Sequence, residues 1–181
     1  MAASATKTVL VPLGNGTEEM EAIVADELIS HAAERQFDLI VLPGGAPGSE
    51  ALKQSNHLRD LLQQQQSSNK PYAAMCAAPA LVLEAHGLLK GKKATAHPAF
   101  VSKLTDSSAA EQRVVVDGNL VTSRGPGTAL EFALALVEQL YGSKKAKEVA
   151  VPMVVNDNVG SFMHAQDIGN LCSSQNGAIA D

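Results

Sequence analysis

Short apolar runs recur along the chain, each closed by glycine or polar residues. Runs rich in Val, Ile and Leu are typical of strands buried in a parallel sheet. Two valine-containing runs flank Asp117-Gly118, and this pattern is typical of a β-hairpin. The predicted strands are residues 8–13, 37–42, 72–75 and 92–96, followed by a hairpin of residues 113–116 and 120–122.

Segments with helical periodicity separate these runs. Their apolar residues return every three or four positions, which predicts amphipathic helices. Thr17 is a suitable N-cap for the first helix, and Glu18 and Glu19 follow in the turn where the helix dipole favours negative charge. The predicted helices are residues 17–35, a helix from about residue 49 that ends in residues 63–66, and residues 77–85, 98–104 and 127–141.

This alternation of strand and helix predicts an α/β fold: a doubly wound, mainly parallel sheet with helices on both faces. Ligands bind such sheets outside the carboxyl ends of the strands. The apolar periodicity fades near the end of the chain into Gly, Ser, Asn and Gln. We therefore predict one domain over residues 1–155 and an irregular tail over residues 156–181.

Composition narrows the range of functions. The chain has 14 basic and 19 acidic residues, and its lysines are scattered, which argues against a surface for nucleic acid or anionic membrane. No apolar run approaches the roughly 18 residues that cross a bilayer, and residues 1–7 are too short and polar for a signal peptide. We expect an intracellular protein whose function lies in a pocket.

Cys76 is the strongest candidate for chemistry. Two cysteines, Cys76 and Cys172, are too few for a disulfide framework. Cys76 follows a predicted strand and precedes a predicted helix, which is the position of a nucleophile elbow. A helix N-terminus there would lower the pKa of the thiol and favour the thiolate. The alternative is a buried structural cysteine, but the position at a strand end favours the nucleophile.

A nucleophile needs groups that move protons, and two sets of residues could supply them. The carboxylate of Glu18, Glu19 or Glu21 lies just beyond the first predicted strand; the alternative is a solvated first turn of a helix. His97 follows another predicted strand and is a possible general base, although an isolated histidine is more often packed or exposed.

Glycines and an arginine at other strand ends are suited to stabilising negative charge. Gly44 and Gly45 can place backbone N–H groups beside the thiol, as an oxyanion hole requires, although an ordinary turn needs glycine equally. Arg124 lies at a strand–loop–helix junction that could hold an anion. The sequence has no GxGxxG, Walker loop, HExxH or paired CxxC, and its histidines lack metal-ligand spacing. We therefore expect no cofactor and no metal.

Four motifs follow one another along the chain: LIVLPGG at residues 39–45, AAMCAAP at 73–79, ATAHP at 94–98 and VTSRGPGT at 121–128. In this order they resemble the parkinsonism-associated deglycase (DJ-1) family of the DJ-1/PfpI superfamily. The resemblance covers about residues 8–155, and residues 14–22 belong to it. It implies a flavodoxin-like α/β sandwich that is usually a homodimer.

The resemblance also implies a role for each candidate residue. The implied roles are reactive cysteine for Cys76, carboxyl group beside it for Glu21, backbone donors for Gly45 and Ala77, pocket histidine for His97 and part of an anion site for Arg124. The activities of the family are glutathione-independent glyoxalase, protein deglycase, redox sensing and chaperone.

The chain departs from the family pattern after Ile23. Family members carry further residues there: the rest of the first helix, a parallel strand and a hairpin. Here Val24 follows directly, and an arginine that the family contributes to the pocket has no counterpart. A skipped exon, a splice form or a faulty gene model would produce this junction. We expect a sheet shortened by a strand and a hairpin, and weakened dimer contacts.

Three functions fit these observations. The first is a cofactor-independent glyoxalase or deglycase that converts methylglyoxal or glyoxal to a hydroxy acid. The second is a redox-responsive chaperone or oxidative-stress sensor in which Cys76 is oxidised to sulfinate. The third is an inactive splice form. We expect a small reactive aldehyde as partner, neither nucleic acid nor membrane, and a location in the cytoplasm and also in the nucleus.

Overall fold

The computed structural model describes residues 7–17 and 36–154, and a five-stranded sheet forms the centre of this part of the chain. The strands are β1 (Val9–Leu10), β2 (Leu39–Leu42), β3 (Tyr72–Met75), β4 (Val114–Asp117) and β5 (Leu120–Ser123). Their order is β1-β2-β3-β5-β4, with β4 antiparallel to β5 and the other neighbours parallel. The predicted mainly parallel sheet and its hairpin are confirmed.

Helices and short helical turns connect the strands. The α-helices are α1 (Ala46–Gln54), α2 (Asn56–Ser67), α3 (Ala129–Tyr141) and α4 (Ser143–Ala150). A five-residue π-helical turn covers Pro79–Leu83, and 3-10 turns cover Pro98–Lys103, Pro126–Thr128 and Val151–Met153. Within the described ranges, none of the helices combines the length and the apolar character needed to cross a bilayer.

Two hydrophobic cores form on opposite faces of the sheet because successive strand residues point to opposite sides. One core joins α1, α2 and the π-helical turn to Ile40, Leu42, Tyr72, Ala74 and Leu120. The other joins Phe132 and Ala135 of α3 to Leu39, Ala73, Met75 and Val121. Helices therefore cover both faces, as the alternation of elements predicts.

The predicted strand of residues 92–96 is wrong. The N–H of Thr95 donates to the side-chain Oγ1 of Thr122 at 3.0 Å, and the Thr95 hydroxyl donates to the carbonyl of Ala110 at 2.8 Å. Both threonines are fully buried. Side-chain hydrogen bonds thus replace a backbone ladder, and the segment lies alongside β5 without pairing as a strand.

The structure has two helices where one helix from about residue 49 is predicted, and the first of them begins earlier than predicted. α1 begins at Ala46, because Gly45, with φ of 81°, is its N-cap and Pro47 lies in its first turn. Ser55 separates α1 from α2, since its hydroxyl accepts from the N–H of Leu58 at 3.2 Å and caps the second helix.

The structure differs from the predicted elements at one more helix, adds a helix that the sequence did not predict, and does not describe two of the predicted segments. The predicted helix of residues 77–85 is in fact the π-helical turn, in which the N–H of Glu84 donates to the carbonyl of Pro79 at 2.9 Å. α4 was not predicted; its Ala150 packs against Leu134 of α3. The predicted helix of residues 17–35 and the tail of residues 156–181 fall outside the described residues, so they stay predictions.

Candidate active site at the carboxyl end of the sheet

Cys76 follows β3 directly and has a left-handed backbone conformation, with φ of 60°. This region is unfavourable for a residue with a side chain by about 1–3 kcal/mol, and such positions cluster at functional sites. Two backbone hydrogen bonds hold Cys76. Its N–H donates to the carbonyl of Ser123 at 3.0 Å, and its carbonyl accepts from the N–H of His97 at 2.8 Å. Cys76 is half-buried and carries a thiol, not a disulfide. The chain therefore bends sharply at a fixed point.

The predicted backbone donors lie at the ends of adjacent parallel strands. Leu42 of β2 is in register with Ala74 of β3, so the loop that begins after β2 lies beside Cys76. Gly44 is buried in this loop, and Gly45 follows it with a positive φ. Ala77 is fully buried and accepts, through its carbonyl, from the N–H of Leu81 at 2.9 Å. These elements bring the proposed oxyanion donors and the thiol to one end of the sheet.

His97 lies where the segment after Thr95 meets the 3-10 turn Pro98–Lys103. It is the N-cap of this turn, and its Nδ1 accepts from the N–H of Ala99 at 3.2 Å. Its ring is tilted by 58° against the ring of Phe100, with 6.1 Å between the centroids. Together with the backbone bond to Cys76, these contacts fix His97 beside the bend.

Arg124 follows β5 and lines an open groove of about 390 Å³. Its Nη1 donates to a carboxylate oxygen of Glu111 at 3.2 Å and to the carbonyl of the same residue at 3.3 Å. The Arg124 side chain is 21% exposed and that of Glu111 is 90% exposed. The predicted anion donor is thus paired with an internal carboxylate. The groove is lined by His97, Pro98, Arg113, Arg124 and residues 125–128.

Arg113 is a second cation in this groove that the sequence analysis missed. Its Nε donates to both carboxylate oxygens of Glu131 at 2.9 Å, and its Nη2 donates to the carbonyl of Gly127 at 2.6 Å. Arg113 immediately precedes β4, and charged residues are common beside strands. Its position in the sequence therefore does not indicate that it lines a groove. Its contacts tie the loop after β5 to α3.

The loop after β5 is also held by a buried pair of hydroxyls. The oxygens of Ser123 and Thr128 are 2.5 Å apart, and Thr128 donates to the carbonyl of Gly125 at 2.8 Å. The sequence predicts an anion-binding junction over residues 123–128, and the structure shows in addition that hydroxyls of this run order the loop.

Glu18, Glu19 and Glu21 lie outside the described residues, so the pairing of Glu21 with Cys76 stays a prediction. In the two described ranges, no group of three His, Cys, Asp or Glu side chains is placed to hold a metal ion. The structure brings together Cys76, His97 and the loops that follow β2 and β5.

Comparison with known proteins identifies relatives of this arrangement. Residues 15–139 match the DJ-1/PfpI family. The chain is 49% identical to Protein DJ-1 homolog B of Arabidopsis thaliana over 83% of this chain and 42% of that protein. It is 38% identical to Protein dj-1beta of Drosophila melanogaster over 84% of this chain and 100% of that protein. Glutathione-independent glyoxalase DJR-1.2 of Caenorhabditis elegans is 34% identical over 77% of each chain.

Solved structures give the same result for the fold. The structure of oxidized Toxoplasma gondii DJ-1 matches with a TM-score of 0.78 at 35% identity, over 82% of this chain and 98% of that chain. The crystal structure of Drosophila melanogaster DJ-1beta matches with a TM-score of 0.77 at 37% identity, over 83% of this chain and 99% of that chain. The flavodoxin-like α/β fold is confirmed.

The alignments also bear on length. The chain spans less than half of the two Arabidopsis relatives, 42% of one and 49% of the other. The alignment with the Drosophila protein is 187 positions long, yet it takes in only 84% of this 181-residue chain. The Drosophila protein therefore has residues without a counterpart here, in agreement with the predicted absence of an internal segment.

Proposed function

This chain belongs to the DJ-1/PfpI family, and on that premise we propose that it is a glyoxalase that acts through Cys76 without glutathione or another cofactor. The observation that carries the proposal is the left-handed bend at Cys76, which sets a thiol at the carboxyl end of a parallel sheet. A relative named as a glutathione-independent glyoxalase supports it. Protein deglycase activity would use the same chemistry on aldehyde adducts of proteins.

The proposed reaction rearranges methylglyoxal and adds one water. The Cys76 thiolate attacks the aldehyde carbon, and the carbonyl oxygen takes a proton to give a hemithioacetal. A base removes the hydrogen of that carbon, and its electron pair forms the double bond of an enediol. A proton returns to the neighbouring carbon, which leaves a lactate thioester. Water hydrolyses the thioester and releases lactate and the thiol.

Each candidate residue has a place in this scheme. Glu21 or His97 moves the proton between the two carbons. Backbone N–H groups of Gly44, Gly45 and Ala77 are proposed to stabilise the charged oxygen at the thiol-bearing carbon. Arg124 is proposed to hold the carboxylate of the product, in exchange for Glu111.

The proposal extends to partners and location. Its partner is a small reactive aldehyde, and the net charge of −5 supports neither nucleic acid nor an anionic membrane as a second one. We propose the cytoplasm, and also the nucleus, as its location. A homodimer of the family type is proposed as well, weakened because the chain lacks residues that its relatives carry.

The test is direct. The purified 181-residue chain, treated with a metal chelator, is mixed with methylglyoxal in the absence of glutathione, and D- and L-lactate are measured. We expect more lactate than heat-denatured protein forms, at a low rate because the chain lacks residues that its Drosophila relative carries. Lactate equal to that control would contradict the proposed activity.

A redox sensor or redox-responsive chaperone is the second candidate. The half-buried position of the Cys76 thiol favours this candidate. The chain is also similar to Toxoplasma gondii DJ-1, whose solved structure is that of an oxidized form. Graded peroxide should convert Cys76 to sulfinate before Cys172, as measured by peptide mass spectrometry. Equal oxidation of both cysteines would count against this candidate.

A further inference from the structure

The two arginines of the groove are paired with carboxylates in different ways, and Arg113 has the tighter pair. Its Nε donates to both carboxylate oxygens of Glu131 at 2.9 Å, and its Nη2 donates to the carbonyl of Gly127 at 2.6 Å. The Glu131 side chain is only 13% exposed. A mostly buried carboxylate held by two charge-assisted hydrogen bonds does not exchange readily with a ligand. Arg113 is thus occupied within the protein itself.

Arg124 has a pair that exchanges more easily. Its Nη1 donates to one carboxylate oxygen of Glu111 at 3.2 Å. The Arg124 side chain is 21% exposed, whereas that of Glu111 is 90% exposed and lies outside the lining of the groove. Ion pairs with a solvent-exposed partner contribute little to stability, so this carboxylate can turn into water at small cost. A carboxylate of a ligand can then take its place on Arg124.

We propose that Glu111 is a specificity-determining residue that keeps carboxylate ligands weakly bound at Arg124; this rests on the glyoxalase function proposed above. Methylglyoxal is neutral, whereas lactate carries a carboxylate. A guanidinium that is largely shielded from water attracts an anion strongly, so without a counter-charge Arg124 would retain the product. Glu111 competes with lactate for this guanidinium and thereby favours release of the product without affecting the attraction of the neutral substrate.

A second contact allows the charge of Glu111 to be removed without moving Arg124. Nη1 of Arg124 also donates to the backbone carbonyl of Glu111 at 3.3 Å. Glu111→Gln keeps this carbonyl, and its side-chain amide oxygen can still accept a hydrogen bond. If Glu111 only positioned Arg124, the substitution would leave carboxylate binding unchanged or weaken it. Competition predicts the opposite, that carboxylate ligands bind more tightly.

The first experiment measures binding without turnover. Glycolate, a hydroxy acid product, is titrated into the 181-residue chain, and its affinity is read from the Nε–H resonance of Arg124. We expect Glu111→Gln to bind glycolate about two- to fivefold more tightly, the range that an exposed ion pair is worth. At about 1 M salt, where the screening length falls to about 3 Å, this gain should shrink. Equal or weaker binding by Glu111→Gln at low salt would overturn the proposal.

Two further variants show where the gain arises. Glu148→Gln makes the same change in net charge on α4, where Glu148 is 52% exposed and pairs with Lys145 at 3.0 Å. It should bind glycolate as the unmodified chain does. Arg124→Gln, combined with Glu111→Gln and read by calorimetry, should abolish the gain. An equal gain in Glu148→Gln, or a gain that persists without Arg124, would contradict competition at this arginine.

The second experiment uses the proposed reaction. Added lactate should inhibit the consumption of methylglyoxal more strongly in Glu111→Gln than in the unmodified chain, because the product then binds more tightly. Equal inhibition of the two proteins would contradict the role of Glu111. A chain that consumes no methylglyoxal would refute the proposed function, and the glycolate titration would still decide whether Glu111 competes for Arg124.

Discussion

Cys76 adopts a backbone conformation that glycine adopts more easily than any residue with a Cβ. We predict that Cys76→Gly is more stable than Cys76→Ala by about 1 kcal/mol, because only glycine removes the left-handed strain. Urea unfolding of the two variants measures the difference. Both variants lack the thiol, so the comparison isolates the backbone.

The matched control for this prediction is Ala78, two residues further along. Its φ of −64° and ψ of −36° are ordinary helical values. Ala78→Gly should therefore destabilise the chain, as glycine does in helices by about 1 kcal/mol. If Cys76→Gly also proved less stable than Cys76→Ala, the left-handed bend would not be a source of strain.

His86 makes stability depend on pH. Burial lowers its pKa below the ordinary value of 6.5; the charges of Arg59 and Lys53 act in the same direction, and a hydrogen bond with the Lys53 backbone opposes them. Within the described part of the chain, its buried Nε2 has no hydrogen-bond partner. As pH falls below the ordinary value, the unfolded chain binds the proton first, so folding stability declines down to the folded-state pKa.

We predict that His86→Gln weakens this decline. The free energy of unfolding is measured in urea at about pH 7.5 and pH 5, on either side of the ordinary histidine value. When the pH is lowered from about 7.5 to about 5, the free energy of unfolding should fall more for the unmodified chain than for the variant. Parallel losses in both proteins would show that His86 does not contribute to the pH dependence.

At the scale of elements, the segment that leads to His97 depends on two buried threonines. Thr122→Val keeps the shape of the side chain but removes the acceptor for the buried N–H of Thr95. An unsatisfied buried donor costs about 1–3 kcal/mol, and we predict a loss of stability in this range. Ser102→Ala is the control, because it removes a hydroxyl from an exposed residue and should cost less than about 0.5 kcal/mol. Equal losses at the two positions would contradict this account of the segment.

An element could be predicted where neighbouring residues in the sequence determine it, and could not where its partners are distant in the sequence. β2 and β3 are continuous apolar runs buried on both faces, and the β4–β5 hairpin has Gly118 with a positive φ at its turn, so local sequence suffices. The segment of residues 92–96 has the same local pattern, but its partners are side chains distant in sequence. The apolar stripe has a gap between Leu52 and Leu58, and Ser55 lies in this gap, where its hydroxyl caps the second helix.

Local sequence also predicts some features of the candidate site and not others. The placement of Cys76 at a strand end could be read from an apolar run followed by a small-residue turn. The acceptor role of His97 Nδ1 and the pairing of Arg124 with Glu111 could not, because they depend on side-chain orientation. Arg113 was missed because its partners, Glu131 and Gly127, come together only in the folded chain.

At the scale of the molecule, β1 is the feature most affected by the shorter chain. It is an end strand of the sheet in the described residues, and its Val9 is 43% exposed. Edge strands with apolar residues invite association between chains. We predict that insertion of the segment of a relative between Ile23 and Val24 raises the melting temperature and the solubility, and raises a glyoxalase turnover that we expect to be low in the present chain.

The control for this insertion is a flexible glycine–serine segment of equal length at the same junction. It lengthens the chain without supplying a strand, so it should not improve stability, which is normally only about 5–15 kcal/mol for a whole domain. Thermal melts, light scattering and lactate assays on the three proteins decide the outcome. A high-melting, monodisperse and fully active present form would show that the sheet does not need the segment.

The central claim is that the thiol at the bend after β3 carries the reaction. Lactate formation from methylglyoxal without glutathione, measured side by side for the unmodified chain, Cys76→Ser and Cys172→Ser, tests it most directly. We predict that Cys76→Ser keeps its far-ultraviolet circular dichroism and loses turnover, because a serine hydroxyl is not ionised at neutral pH, while Cys172→Ser retains turnover. Unchanged turnover in Cys76→Ser, or an equal loss in Cys172→Ser, would contradict the claim.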